Sequence, residues 1–177
     1  MTEGTGMDPS IVAGLRTFSP EHRRWVESVL DRILRYYGEN LLGLAIFGSF
    51  ARGENRKGSD LDLLIILKNA GKRRIRIEEF ILEIEMKHDD LAQQLFREQG
   101  LSCELSPYIV TLPEALLMQP IYYDLVDHHV VMWDPEGIID QIISSASALL
   151  KKVGAYRVRR NNTWEWRTNR FLGGVRL

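Results

Sequence analysis

The chain has 177 residues, 45% hydrophobic and 27% charged, which suits one domain with a real core and is too short for two ordinary ones. No apolar run approaches the roughly 20 residues that a bilayer crossing needs, and the single cysteine, Cys103, excludes an intrachain disulfide and a cysteine-cluster zinc site. Net charge is −1, but residues 151–177 carry eight Lys/Arg against one acid, so a balanced total conceals a basic C-terminus.

Residues 1–18 show little periodicity and are expected to form a mobile lead-in, without the basic-then-apolar order of a signal peptide. Ser19-Pro20-Glu21 is a helix start, and Trp25, Val26, Val29, Leu30, Ile33, Leu34 and Tyr37 recur at helical spacing up to Gly38. Leu41 to Phe47 and Leu61 to Leu67 read as buried strands, separated by a polar, glycine-flanked loop. A long helix is predicted from about Arg74 to Gln99, with Ile77, Phe80, Ile81, Ile84, His88, Leu91 and Leu95 on one face. A strand over Phe80 to Met86 is the weaker option. Leu105 to Thr111 is a third strand, and short helices are expected over Leu112–Met118 and Ile121–Asp127. Val130 to Trp133 is a short strand. Asp134-Pro135-Glu136 caps a helix whose apolar stripe runs from Ile138 to Val153, and Tyr156–Arg160 with Trp164–Arg167, joined around Asn161-Asn162, suggest a hairpin. The expected organisation is the lead-in, a core over 19–134, and a C-terminal helix and basic aromatic hairpin over 135–177 packed on the same domain. With one cysteine and no spanning segment, the expected setting is cytoplasmic, with no membrane partner.

The chemistry concentrates in Phe47-Gly48-Ser49, ten residues, then Asp60-Leu61-Asp62-Leu63. Carboxylates two apart on a strand point to one face. Two like charges so close repel, and each costs free energy to bury. A divalent cation removes both problems, and Mg²⁺ favours a few carboxylates completed by waters and phosphate oxygens. Gly48 lets a phosphate approach the backbone, and Ser49 offers an N–H and a hydroxyl. A helical turn beginning near Phe50 would favour anionic phosphates. The loop adds Arg52, Arg56 and Lys57 as cations, and Ser59 precedes the acids. These are the parts that phosphoryl or nucleotidyl transfer needs.

This pattern resembles the signature of the polymerase-β-like nucleotidyltransferase superfamily, in particular its minimal, antitoxin-like nucleotidyltransferases. The motif proper covers residues 47 to 63, and the order of elements extends the likeness to about Thr111. The resemblance implies an α/β fold: a twisted mixed sheet with flanking helices, a C-terminal helix and a β-hairpin. It implies Asp60 and Asp62 as Mg²⁺ ligands and catalytic acids, and Gly48, Ser49, Arg52, Lys57 and Ser59 as the binding residues for ATP or another NTP. Members usually carry a third acid on the next strand. Its expected position is Ser106, which is no acid, while Glu104 lies two residues earlier, on the same face of an uninterrupted strand, and is the candidate substitute.

The leading expectation is transfer of a nucleoside monophosphate, AMP by resemblance, to an acceptor hydroxyl. Stand-alone minimal members often modify a small helical toxin protein, so the resemblance makes such a toxin the candidate partner. The runner-up is a nucleotide-binding interaction protein that has lost turnover. A third reading is small-molecule modification as in aminoglycoside nucleotidyltransferases, and a fourth is nucleic-acid binding through the tail. His88 reads as a core histidine, and Arg73, Arg74 and Arg76 as a solvated helix start. The aromatics of the tail read chiefly as the buried side of a hairpin whose arginines face water.

Overall fold

The structure, a computed structural model, describes residues 9–160 and 163–177. Its centre is a four-stranded mixed sheet of β1 (Leu41–Phe47), β2 (Leu61–Leu67), β3 (Leu105–Thr111) and β4 (Val130–Trp133), in the order β3-β2-β1-β4. β1 runs antiparallel to β2 and β4, whereas β2 and β3 are parallel. A parallel pair needs a crossover. The long helical segment between β2 and β3 supplies it.

Alternation along the strands divides the core into two layers. Leu61, Leu63 and Ile65 of β2 face α2 (Pro20–Tyr37), which contributes Trp25, Val29, Leu30 and Ile33. Leu64 and Ile66 face the opposite layer, where α6 (Leu112–Ala115), α7 (Tyr122–Asp127) and α8 (Ile138–Lys152) pack through Ala115, Tyr122, Leu125, Ile139 and Ile142. β1 is buried on both faces, which explains its uninterrupted apolar run. Gly43 in β1 is a contact glycine: a Cβ there would stand 2.9 Å from the Ile139 side chain, so its absence lets α8 lie on the sheet. α8 is started by Asp134, whose carboxylate accepts from the amides of Ile138 (2.7 Å), Ile139 (3.0 Å) and Asp140 (3.2 Å).

Two expectations are corrected. Within the lead-in, residues 9–13 form a helix, α1 (Pro9–Ala13), and Val12 and Leu15 are buried in the α2 layer. The carbonyl of Arg16 also accepts from buried Asn55, so Val12, Leu15 and the Arg16 backbone tie this part of the lead-in to the domain; residues 1–8 lie outside the described residues. The predicted helix over 74–99 is one helical run with a changed pitch. α4 (Arg73–Phe80) passes into a π turn at Ile81–Glu85 and a 3₁₀ turn at Met86–His88, then α5 (Asp89–Gln99). A turn with an extra residue rotates the following face. Phe80, Ile84, His88 and Leu95 stay buried, whereas Ile81 emerges and Leu82, Met86 and Phe96 are exposed.

The hairpin forms from β5 (Tyr156–Arg160) and β6 (Thr163–Arg167); its expected turn, Asn161-Asn162, lies outside the described residues. It docks on α7. Trp166 Nε1 donates to Asp127 at 3.1 Å, the Trp166 ring lies 6.2 Å from that of Tyr123, and Arg157 pairs with Asp127 at 3.2 Å. No helix among the described residues is long and apolar enough to cross a membrane.

Candidate active site

The end of β1 and the start of β2 meet because the two strands are antiparallel and Phe47 pairs with Asp62. The chain leaves β1 through Gly48, whose φ of +67° disfavours a side chain. It enters the short helix α3 (Gly48–Ala51), whose first amides have no acceptor inside the helix. A Cβ on Gly48 would stand 2.1 Å from Asp62 Oδ2. The glycine backbone is therefore packed directly on the carboxylate. Ser49 follows, half-buried, and its carbonyl accepts from the Glu54 amide at 2.9 Å, which folds the loop back beside the site.

Asp60 is exposed just before β2, and Asp62 is half-buried on its second residue. Burial pushes the Asp62 carboxyl above its ordinary range; a hydrogen bond from Ser106 opposes this, the charges of Asp60 and Asp124 add to it, and Arg52 opposes it. Such a group is held where ionisation is costly until a cation arrives. Among the described residues no three His, Cys, Asp or Glu side chains gather closely enough to hold a metal by themselves. Two carboxylates completed by substrate oxygens and water are still a normal Mg²⁺ environment.

Of the loop residues, Arg52 is the one whose charge reaches Asp62, and its guanidinium is steadied by Glu54 at 3.0 Å. Lys57 donates to the Gln99 carbonyl at 2.9 Å, at the far end of α5. Ser59 accepts from the Arg56 amide at 2.8 Å and shapes the turn before the acids.

Ser106 sits opposite Asp62 in the parallel ladder, as the spacing predicts for the missing acid. Glu104 has other surroundings. Cys103 has φ +50°, β3 runs from Leu105, and the Glu104 carbonyl accepts from the Leu61 amide of β2 at 2.9 Å. Its carboxylate accepts from the Ser102 hydroxyl at 2.9 Å, and its charge is felt by Glu85 on the helical side.

The carboxylate the sequence did not reveal is Asp124. β4 opens at Val130 beside Ile46, so α7, just ahead of it, ends at the same edge of the sheet as Gly48. Tyr122 and Leu125 are buried and anchor α7; Asp124 is exposed between them, and its charge acts on Asp62. Locally Tyr122-Tyr123-Asp124 is an ordinary helix opening, and only tertiary packing brings it to the site.

Arg76 was also misread as solvent-facing. It is 7% exposed and forms a two-pronged pair with Glu114 at 2.6 and 3.1 Å, while donating to the carbonyls of Gly71 (2.6 Å) and Ile109 (3.2 Å). Arg76 holds the Glu114 carboxyl down at about 2, and Glu114 also accepts from the Thr111 amide at 2.7 Å. This knot ties α4 and α6 to the end of β3. Arg74 pairs on the surface with Glu78, as expected, and His88 is a satisfied core histidine between Ser28 (2.9 Å) and the Ile84 carbonyl (2.7 Å).

Residues 26–110 match the nucleotidyltransferase domain family. A Methanocaldococcus jannaschii protein named as a candidate protein adenylyltransferase is 22% identical over 148 residues, which is 80% of this chain and 95% of that protein. A spectinomycin adenyltransferase from Enterococcus faecialis, solved with ATP and spectinomycin, shares the fold over 73% of this chain and 65% of its own, at a TM-score of 0.51 and 12% identity. A toxin–antitoxin structure with AMP-PNP aligns over 70% of this chain and 87% of that chain, at a TM-score of 0.43 and 17% identity.

Proposed function

We propose that this chain, whose residues 26–110 match the nucleotidyltransferase domain family, transfers AMP from Mg²⁺-bound ATP to a hydroxyl on a partner protein. The observation that carries the reading is the contact of Gly48 with Asp62, which unites the two halves of the motif at one edge of the sheet. Asp60 and Asp62 would hold Mg²⁺, and the half-buried, repelled Asp62 fits that task. Bound there, the ion supplies neutralisation of the triphosphate charge.

The chain's own groups do the rest. The backbone at Gly48 and Ser49 receives phosphate oxygens, and Arg52 adds positive charge beside them. The acceptor oxygen bonds to the α-phosphorus, the bond to the β-phosphate oxygen breaks, and pyrophosphate leaves. Asp124, whose charge acts on Asp62, is the carboxylate we assign to take the hydroxyl proton. A protein acceptor is favoured by the name of the Methanocaldococcus relative, nearly the whole of which this chain matches. A small helical toxin is the partner class that fits the antitoxin-like motif.

One observation favours a second reading. Ser106 occupies the place opposite Asp62 where an acid would complete the site. Without a substitute, the protein would bind nucleotide and neutralise its partner by contact. Incubation with ATP labelled at the α-phosphate, Mg²⁺ and the candidate partner separates the two. Covalent label with an equal yield of pyrophosphate supports transfer. Nucleotide binding without label, with transfer created by Ser106→Asp, supports the second reading.

A further inference from the structure

The segment from Phe50 to Asn55 follows directly on Gly48-Ser49 and carries Arg52, yet it has little structure of its own. α3 has four residues, far fewer than the roughly 12 that an isolated helix needs. Residues 52–60 contain no helix or strand. Contacts from outside must therefore set where Ser49 and Arg52 stand. Asn55 is 0% exposed and is the one buried residue of the stretch 51–60. A buried side-chain amide is placed by its hydrogen bonds, and Asn55 donates to the Arg16 carbonyl at 3.0 Å.

From Arg16 a series of ring contacts leads back to the same segment. The Arg16 guanidinium lies 5.3 Å from the Phe18 ring centre, Phe18 stacks on His22 at 5.6 Å, and His22 meets buried Phe50 edge-on at 6.1 Å. The His22 ring is itself held. Its Nδ1 accepts from the Phe18 amide at 3.2 Å, and it stacks on Trp25 at 6.0 Å. Trp25, Val26 and Val29 anchor α2 beneath it in the core. Loop and lead-in thus close a circuit through Phe50, His22, Phe18, Arg16 and Asn55. Its two ends on the loop, Phe50 and Asn55, fall on either side of Arg52.

We propose that His22 and Asn55 are positioning residues: His22 through Phe50, and Asn55 through the Arg16 backbone, hold Ser49 and Arg52 where a triphosphate needs them. Residues 16–22 then serve nucleotide binding as a strap, although they lie outside the motif at 47–63. The identity of the ligand rests on the transfer reaction proposed above; the hold of the strap on the turn does not.

The test compares His22→Ala, His22→Phe and Asn55→Ala with the parent, and adds Ile142→Ala, in the opposite core layer, as a control for lost stability. Two readings are taken on folded protein well below its melting temperature: the amide NMR signals of Ser49 and Arg52 without nucleotide, and the affinity for Mg²⁺-ATP by calorimetry. His22→Ala and Asn55→Ala should move both signals and weaken Mg²⁺-ATP binding about tenfold. His22→Phe keeps a stacked ring and loses only the Nδ1 acceptor, so it should recover most of that affinity. Ile142→Ala should lower the melting temperature and leave both readings as in the parent. Should His22→Ala not fold, Asn55→Ala carries the test. Unmoved signals in the alanine variants, moved signals with unchanged affinity, no recovery in His22→Phe, or an equal loss of affinity in Ile142→Ala would overturn the proposal. A parent that does not bind Mg²⁺-ATP, with signals that still move in the variants, would contradict the nucleotide reading alone, since the strap would be seen acting on the turn.

Discussion

Gly48 and Asp62 are in direct contact across the β1–β2 ladder: Phe47 pairs with Asp62, the chain turns at Gly48 with φ +67°, and a Cβ there would fall 2.1 Å from Oδ2. The glycine and the acid are one device, although thirteen residues separate them. The close approach sets backbone against the carboxylate of half-buried Asp62.

Gly48→Ala should therefore strike twice. The left-handed φ costs about 1–2 kcal/mol for a residue with a Cβ, and the methyl must displace Asp62. The melting temperature should fall by several degrees, and calorimetry should show Mg²⁺-ATP affinity reduced at least tenfold. Unchanged binding would mean that the contact has no role in holding nucleotide.

Asp124→Asn and Glu104→Gln should show which of the two carboxylates takes the hydroxyl proton. The first should lower kcat by about 10²-fold or more, with nucleotide affinity nearly intact. The second should leave kcat and nucleotide affinity near their original values. Steady-state kinetics with the partner protein makes the comparison. A large kcat loss in Glu104→Gln alone would return the proton-accepting role to that residue.

Much of this was legible in the sequence. β1 and β2 are buried apolar runs bounded by turn residues, and the structure places them, and the edge strand β3, at the residues the pattern predicts. The failures have physical causes. Asp124 reaches the site only because α7 is set down just ahead of β4, a tertiary fact. Arg76 looked solvated beside Arg73 and Arg74, since its partner Glu114 is 38 residues away. Ile81, expected on the buried face, is exposed where the π turn begins, a change of pitch that a constant helical period does not contain.

The Arg76–Glu114 pair predicts an acid-sensitive joint. The folded Glu114 carboxyl titrates at about 2, below its ordinary 4.5, because of the hydrogen bonds from Arg76. Its contribution is complete above the ordinary value and is lost as pH falls from there toward about 2. Denaturant unfolding should show Glu114→Gln less stable than the parent near neutrality, with the gap closing across that window. A gap independent of pH would show that the charge is immaterial.

The basic hairpin should serve partner binding. Arg167 and Arg170 are exposed beyond the contacts that Trp166 and Arg157 make with Asp127. Arg167→Gln with Arg170→Gln should weaken association with the partner, more at low salt than at high, and leave ATP affinity unchanged. If association is insensitive to salt and to both changes, the hairpin is a structural element only.

The most direct measurement is calorimetric titration of Mg²⁺-ATP into the parent and into Asp60→Asn with Asp62→Asn. Both acids stand at the start of β2, away from the fully buried core, so the variant should keep its fold and melting temperature. The account predicts saturable binding in the parent, dependent on Mg²⁺, and its loss in the folded variant. Equal Mg²⁺-ATP affinity in the two proteins would contradict it.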